Sequence, residues 1–189
     1  MKKLSVLIRQ LTDQFSTRKG FTLIELLIVI TIIATLAVTV FVALNPAQRI
    51  KDAKDARRTS DIDSILTAIH QAIVDNKGSV PSNLPANPGA GNPPNERQLG
   101  TGDATVAAGC GTAIATNGCN TPTLTACADL MTGTINVSKY LKTMPIDPSG
   151  GTTYTAVKTG YSVARDANDI ITITACNKEG TGANIQASR

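Results

Sequence analysis

Between Phe21 and Leu44 lie 24 residues of which Glu25 alone is charged. No other feature limits the fold as tightly. As a helix rising 1.5 Å per residue, the run would be about 36 Å long. That is enough to cross a hydrocarbon core of about 30 Å. An acidic side chain at the centre of such a span costs about 2.5–3.5 kcal/mol. Glu25 lies near one end, where the cost is smaller and an acid near the headgroup level is tolerated, but a carboxylate in an apolar run still needs a reason. An ordinary secretory signal has an apolar region of about 7–15 residues and a small-x-small cleavage site. This run is longer, and Leu44-Asn45-Pro46-Ala47 is a poor site, so the segment is expected to stay in the protein.

The net charge of +4 invites a nucleic-acid reading. Its placement argues against one. Residues 1–20 hold Lys2, Lys3, Arg9, Arg18 and Lys19 against Asp13, and the remainder holds thirteen basic and thirteen acidic residues. The excess belongs to the leader, where it acts as a membrane-topology signal. No specific nucleic-acid site is indicated. Five Lys or Arg residues also follow the apolar run within about 20 positions, so the count of basic residues ties. Orientation is set instead by the cysteines, expected outside, with the leader inside.

Cys110, Cys119, Cys127 and Cys176 all follow the apolar run. An even number on one side of a membrane segment fits two disulfides in an oxidising compartment. The expected pairs are Cys110–Cys119, closing a Gly- and Thr-rich loop, and Cys127–Cys176, tying that connection to the last strand. Zinc competes, but there is no CxxC and the single histidine, His70, is distant in sequence. His70 follows Ile69 on the polar flank of a helix and is expected to be solvated. One histidine supplies no recognisable Ser/His/Asp set, and the chain is not expected to be an enzyme. Asp147, Asp166 and Asp169 carry oxygen ligands of the kind that suit Ca²⁺. Their spacing is not that of an EF-hand, and turn chemistry accounts for them. No cofactor is expected.

Beyond Pro46, which should kink or loosen the helix, Ile62, Ile65, Leu66, Ile69 and Ile73 recur at helical spacing. Lys51–Asp55 and Arg57–Asp61 read as i,i+4 ion pairs on the solvated side. Asn76-Lys77-Gly78 reads as the end of the helix, with Gly78 available for a left-handed cap. Residues 78–103 hold five of the nine prolines and read as loop. Val137–Thr143 reads as a short helical turn. Thr152–Val157, Gly160–Arg165 and Ile170–Cys176 read as three strands of an antiparallel meander. The expected segments are a leader at 1–20, an apolar helix half at 21–44 and an amphipathic half at 45–77. A loop-rich, disulfide-containing connection follows at 78–133, then a sheet and C-terminal region at 134–189.

Lys19-Gly20-Phe21-Thr22-Leu23-Ile24-Glu25 resembles the start of the type IV pilin family, which includes the pseudopilins of type II secretion. The shared marks are a basic leader ending in Gly, then Phe, then an apolar stretch with Glu at its fifth position. Gly20, Phe21 and Glu25 match residue by residue, and the likeness extends to about Gly78. A second likeness follows at Tyr140-Leu141-Lys142-Thr143-Met144-Pro145-Ile146-Asp147-Pro148-Ser149-Gly150 and Tyr154. It is similar to a pseudopilin pattern, with Ser149 where pseudopilins usually have Trp.

The resemblance implies an α+β pilin fold, a long N-terminal helix packed on a small antiparallel sheet. It implies that a prepilin peptidase cuts between Gly20 and Phe21 and methylates the new amine of Phe21. It also implies that Glu25 neutralises that amine on a neighbouring copy. A buried charge is tolerable when paired and costly alone. Thr22, Thr31, Thr35 and Thr39, with Ala34 and Ala37, either mark a helix–helix packing face or bond back to their own helix. The implied partners are further copies of the chain, the peptidase, a filament assembly machinery and the inner membrane. The head would be extracytoplasmic in the precursor, and the filament at the cell surface or in the periplasm. The expected function is a structural subunit, major or minor, of a type IV pilus-like filament. A secretion pseudopilin is the alternative within the family. A membrane-anchored binding protein or adhesin is the alternative of another class.

Overall fold

Thr22 starts the first helix because its backbone is extended and its hydroxyl accepts the Glu25 amide at 3.2 Å. In the computed structural model, which describes residues 20–101, 119, 127–150 and 154–189, helix α1 covers Leu23–Leu44. No residue of α1 is buried, and the helix is long and apolar enough to cross a membrane. Thr31, Thr35 and Thr39 each donate a hydroxyl to the carbonyl three residues back, at 2.7–2.9 Å. Their polarity is thereby satisfied within α1.

The interruption falls at Asn45, not within the helix at Pro46. Proline disfavours the helical region for the residue before it. Asn45 takes the left-handed region instead, with φ of 41°, which Asn tolerates. Pro46 then opens helix α2, Pro46–Asp75, at a position where its missing N–H costs nothing. The chain divides here into two compact units, one ending at Pro46 and the other running Ala47–Arg189.

In the second unit, Ile62, Ile65, Leu66 and Ile69 of α2 are buried, as their spacing predicts. The helix ends where expected, but Lys77, at φ 55°, takes the left-handed cap position expected of Gly78; Gly78 follows at φ 89°, with its amide on the Ile73 carbonyl at 2.9 Å. Arg57 and Asp61 do pair, at a loose 3.9 Å. Asp55 does not serve Lys51. It turns to Arg58 at 2.6 Å.

Four strands form one antiparallel sheet in the order β1-β2-β3-β4: Asn95–Gln98, Tyr161–Arg165, Ile171–Ala175 and Gln186–Ser188. β2 and β3 are the strands expected at 160–165 and 170–176. The strand expected at Thr152–Val157 is not formed over 154–157, and residues 152–153 lie outside the described set. β1 arises inside the stretch read as loop. Its sequence Asn-Glu-Arg-Gln has no apolar alternation, and pairing with β2 defines it. Val137–Thr143 gives a single turn, with Leu141 donating to the Val137 carbonyl at 2.9 Å. Tyr161, Val163, Ile171 and Ile173 share one buried cluster with Ile62, Ile65, Leu66 and Ile69. The architecture is α+β, consistent with a pilin fold.

Cys119 is bonded to Cys176, with Cα atoms 5.2 Å apart. This overturns both expected pairs, Cys110–Cys119 and Cys127–Cys176. The sheet order is the reason. Ala128 bridges Leu99 on the outer side of β1, and β2 lies between β1 and β3. Three strand spacings put Cys127 about 14 Å from Cys176, beyond disulfide reach. Cys127 is itself disulfide-bonded, and its partner lies outside the described residues. Non-reducing peptide mapping should recover a peptide joining Cys119 to Cys176. Replacing both by Ser should destabilise the second unit by about 2–4 kcal/mol. A peptide joining Cys127 to Cys176 would contradict the register described here.

Candidate functional site

Two charged sites stand out, one in each unit. At the start of α1, Glu25 reaches back to the residue that caps its helix. Its Oε2 accepts the Thr22 amide at 2.9 Å and the Thr22 hydroxyl at 2.9 Å, while Thr22 accepts the Glu25 amide. This is a capping box. It satisfies donors at a helix start that would otherwise lack partners. Oε1 has no partner among the described residues. The box holds the carboxylate beside the backbone of Thr22, one residue from Phe21. Phe21 is 91% exposed. Gly20 is exposed too, and a Cβ there would meet nothing within 4 Å. Gly20, Phe21 and Glu25 therefore form one uncovered stretch.

The second site is centred on Arg58, which lies four residues before Ile62 and so falls on the buried stripe of α2. Its side chain has no exposure. Nε and Nη2 grip the two oxygens of Asp147 at 2.7 and 2.8 Å, a bidentate pair. Nη1 donates to Asp55 at 2.6 Å, and Nη2 also donates to Ser149 at 2.9 Å and Glu179 at 3.0 Å. Lys54 adds a second cation to Glu179 at 3.1 Å. Asp55 accepts the amides of Glu179 and Gly180 at 3.2 and 2.7 Å. Helix α2, the Asp147–Ser149 loop and the β3–β4 connection thus meet at one guanidinium. Gly160 closes the rear of the site. Its φ is 87°, and a Cβ there would come within 2.8 Å of Asp147 and Tyr154 side-chain atoms.

Burial pulls the Arg58 pKa down, but hydrogen bonds to Asp147, Glu179 and Asp55 outweigh it and hold the charge more firmly than usual. The Ser149 hydroxyl, opposed by burial and helped by Arg58 and Lys54, depresses the Glu179 carboxyl to about 2. Asp55 is opposed by burial, yet the amides of Glu179 and Gly180 and then Arg58 hold its pKa below the ordinary value.

The calcium candidates are engaged otherwise. Both Asp147 oxygens belong to Arg58. Asp166 accepts the amides of Asn168 and Ile170 at 2.8 Å each, and Asp169 accepts Arg165 Nε at 2.9 Å. Among the described residues, no group of three or more His, Cys, Asp or Glu could hold a metal ion. His70 is half-buried, not solvated. It shares a cavity wall with Tyr140 and Arg189, and its Nε2 is buried without a partner among the described residues. Burial, then the Arg189 charge, keeps the imidazole neutral to lower pH than usual.

Residues 15–41 match the prokaryotic N-terminal methylation motif. This is the signature of type IV prepilins and pseudopilins, and the chain carries it. No curated protein matches the chain. No solved structure matches it either. The motif implies processing by a prepilin peptidase, and with the apolar α1 it fits a membrane-anchored precursor. It points to a structural protein.

The depressed Asp55 and Glu179 carboxyls contribute stability that is full above their ordinary values and is lost as protons bind. For Glu179 the window runs from its ordinary 4.5 down to about 2. Thermal melts of the full chain in detergent should show the transition of the second unit falling as pH drops through this window. Glu179→Gln should lower the melting temperature at neutral pH and make the acid-side decline shallower. An unchanged slope would remove Glu179 from the network's energetics.

Proposed function

We propose that the chain is made as a membrane-held prepilin, cut between Gly20 and Phe21, methylated on Phe21, and assembled as a structural subunit of a type IV pilus-like filament. Residues 1–20 are then the discarded leader, and α1 is first a membrane span and then filament core. The observation that carries this reading is the surface of α1. Among the described residues, none of this helix is buried. Each large aliphatic side chain gains about 1.5–3 kcal/mol when fully buried, so such a surface belongs in lipid or against other copies of itself. Glu25 sits in the first turn of α1, four residues from the ammonium that the cut would create on Phe21. In a filament, its carboxylate would pair with the Phe21 amine of a neighbour. That pairing sets register between helices more than it adds net stability.

The secretion pseudopilin is the second reading. Asp147, between Pro145 and Pro148, is buried, and Tyr154 after it is buried as well, in keeping with the pattern shared with pseudopilins. A long surface filament against a short periplasmic one separates the two readings. The head would be extracytoplasmic in both, and the peptidase, the assembly machinery and the inner membrane are the partners in both.

Mass spectrometry of the mature protein should find Phe21 at the N-terminus, carrying a methyl group. An intact Met1 would sink the proposed cut. The role of Glu25 is tested by two substitutions. Glu25→Gln retains the capping-box geometry, whereas Glu25→Ala loses it. If charge pairing drives assembly, both variants should be cut normally and both should assemble poorly, since an unpaired buried charge costs about 3–5 kcal/mol. Normal filaments from Gln and none from Ala would assign Glu25 to capping alone. Undiminished function without filaments from either variant would favour an anchored adhesin.

A further inference from the structure

The outward face of α2 carries a shallow groove of about 680 Å³, walled on one side by Tyr140 and lined by Thr59, Ser60, Asp63, Ser64 and Thr67. The hydroxyls of Thr59 and Ser64 are turned back onto helix carbonyls at 3.1 and 2.8 Å. These two hydroxyls are therefore already satisfied, and the α2 side chains named here are short, so another chain can approach closely. Asp63 is the one charged group in it. It is exposed and enters no ion pair among the described residues. Lys51, near the start of the same helix, is also exposed and unpaired among them.

These two charges cannot meet within one chain. On a helix they stand about 18 Å apart along the axis and about 120° apart around it. Other cations of α2 are less suited. Lys54 and Arg58 are committed to Glu179 and Asp147, and Arg57 leans on Asp61. Arg49 lies only about 40° around the helix from Asp63, so its contact would use one face for both partners. A donor and an acceptor on different faces of one element make a heterologous contact. Such contacts repeat head to tail and extend into open helical assemblies when they do not close.

We infer that the α2 groove centred on Asp63 is a docking site for a second copy of this chain, which inserts Lys51. This rests on the filament reading and adds to it a contact between heads, separate from the Phe21–Glu25 pairing. The contact gives each copy one donor face and one acceptor face, and so a direction. Its strength falls with salt, because both groups are solvent-exposed in the free chain.

The test uses the full chain. Lys51→Cys and Asp63→Cys chains are co-expressed, and sheared filaments are treated with a short bis-maleimide. Cys119, Cys127 and Cys176 are already bonded and do not compete. A cross-chain dimer should form from the mixture and not from either variant alone. Lys51→Glu and Asp63→Lys should each cut filament yield to roughly a tenth, because like charges would then face each other. The double reversal should restore it. Filaments that form normally with each single reversal and give no cross-link overturn the docking site while leaving the filament reading intact. Absence of the chain from any filament or membrane oligomer overturns both.

Discussion

A guanidinium with no access to water must find all its partners where it lies, and the head of this protein is organised around meeting that requirement for Arg58. Desolvating an ion costs several kcal/mol unless good geometry returns it. Here the return comes from three carboxylates and a hydroxyl drawn from three parts of the chain. Asp55 lies one turn back on the same helix, Asp147 comes from a loop, and Glu179 follows β3. The loop and the β3–β4 connection have little apolar surface with which to fix their own place. The loop is held through Asp147 and the Ser149 amide that Asp147 accepts at 2.8 Å. The β3–β4 connection is held through Glu179 and through its amides on Asp55. The network therefore supplies position more than it supplies stability.

The apolar core does the complementary work. Ile62, Ile65, Leu66 and Ile69 hold α2 on the face of β2 and β3, and this seats Arg58 within reach of its partners. Cys119–Cys176 then fastens the end of β3 just before the connection that carries Glu179. The second unit is thus complete in itself, with its apolar stripe covered and its buried cation matched. The first unit is the reverse. Its helix satisfies its own threonines, yet buries none of its side chains.

How much of this was legible depends on how local each feature is. α2 and strands β2 and β3 show in the sequence because their apolar periods match their burial. β1 and β4 do not, since Asn95–Gln98 and Gln186–Ser188 are short, polar and defined by a neighbour's backbone. The disulfide pairing is not legible locally, because proximity in sequence favours Cys119 with Cys110. Proximity in the sheet places it beside Cys176, a fact that depends on strand order. Arg58 had a readable phase on the helix, four residues before Ile62, but nothing local names Asp147 as its partner. At Glu25 the motif was plain. The Thr22-x-x-Glu25 spacing of a capping box was equally readable, and it describes what the carboxylate does within its own chain.

That second role for Glu25 bears on how one residue can serve before and after the proposed cut. The first turn of a helix carries a positive partial charge from its unsatisfied amides, so a carboxylate there is favourable. Cutting after Gly20 would add an ammonium to the same end, where the helix field disfavours it. Glu25 already lies against Thr22 with one oxygen in use and the other open. It can therefore cap its own helix and still present Oε1 to an amine. In lipid, the cap would keep one oxygen of the carboxylate satisfied until a neighbour arrived. In a filament, the neighbour's amine would take the open oxygen without dismantling the cap. A charge that has to wait in an apolar medium needs a temporary partner, and Thr22 is placed to be one.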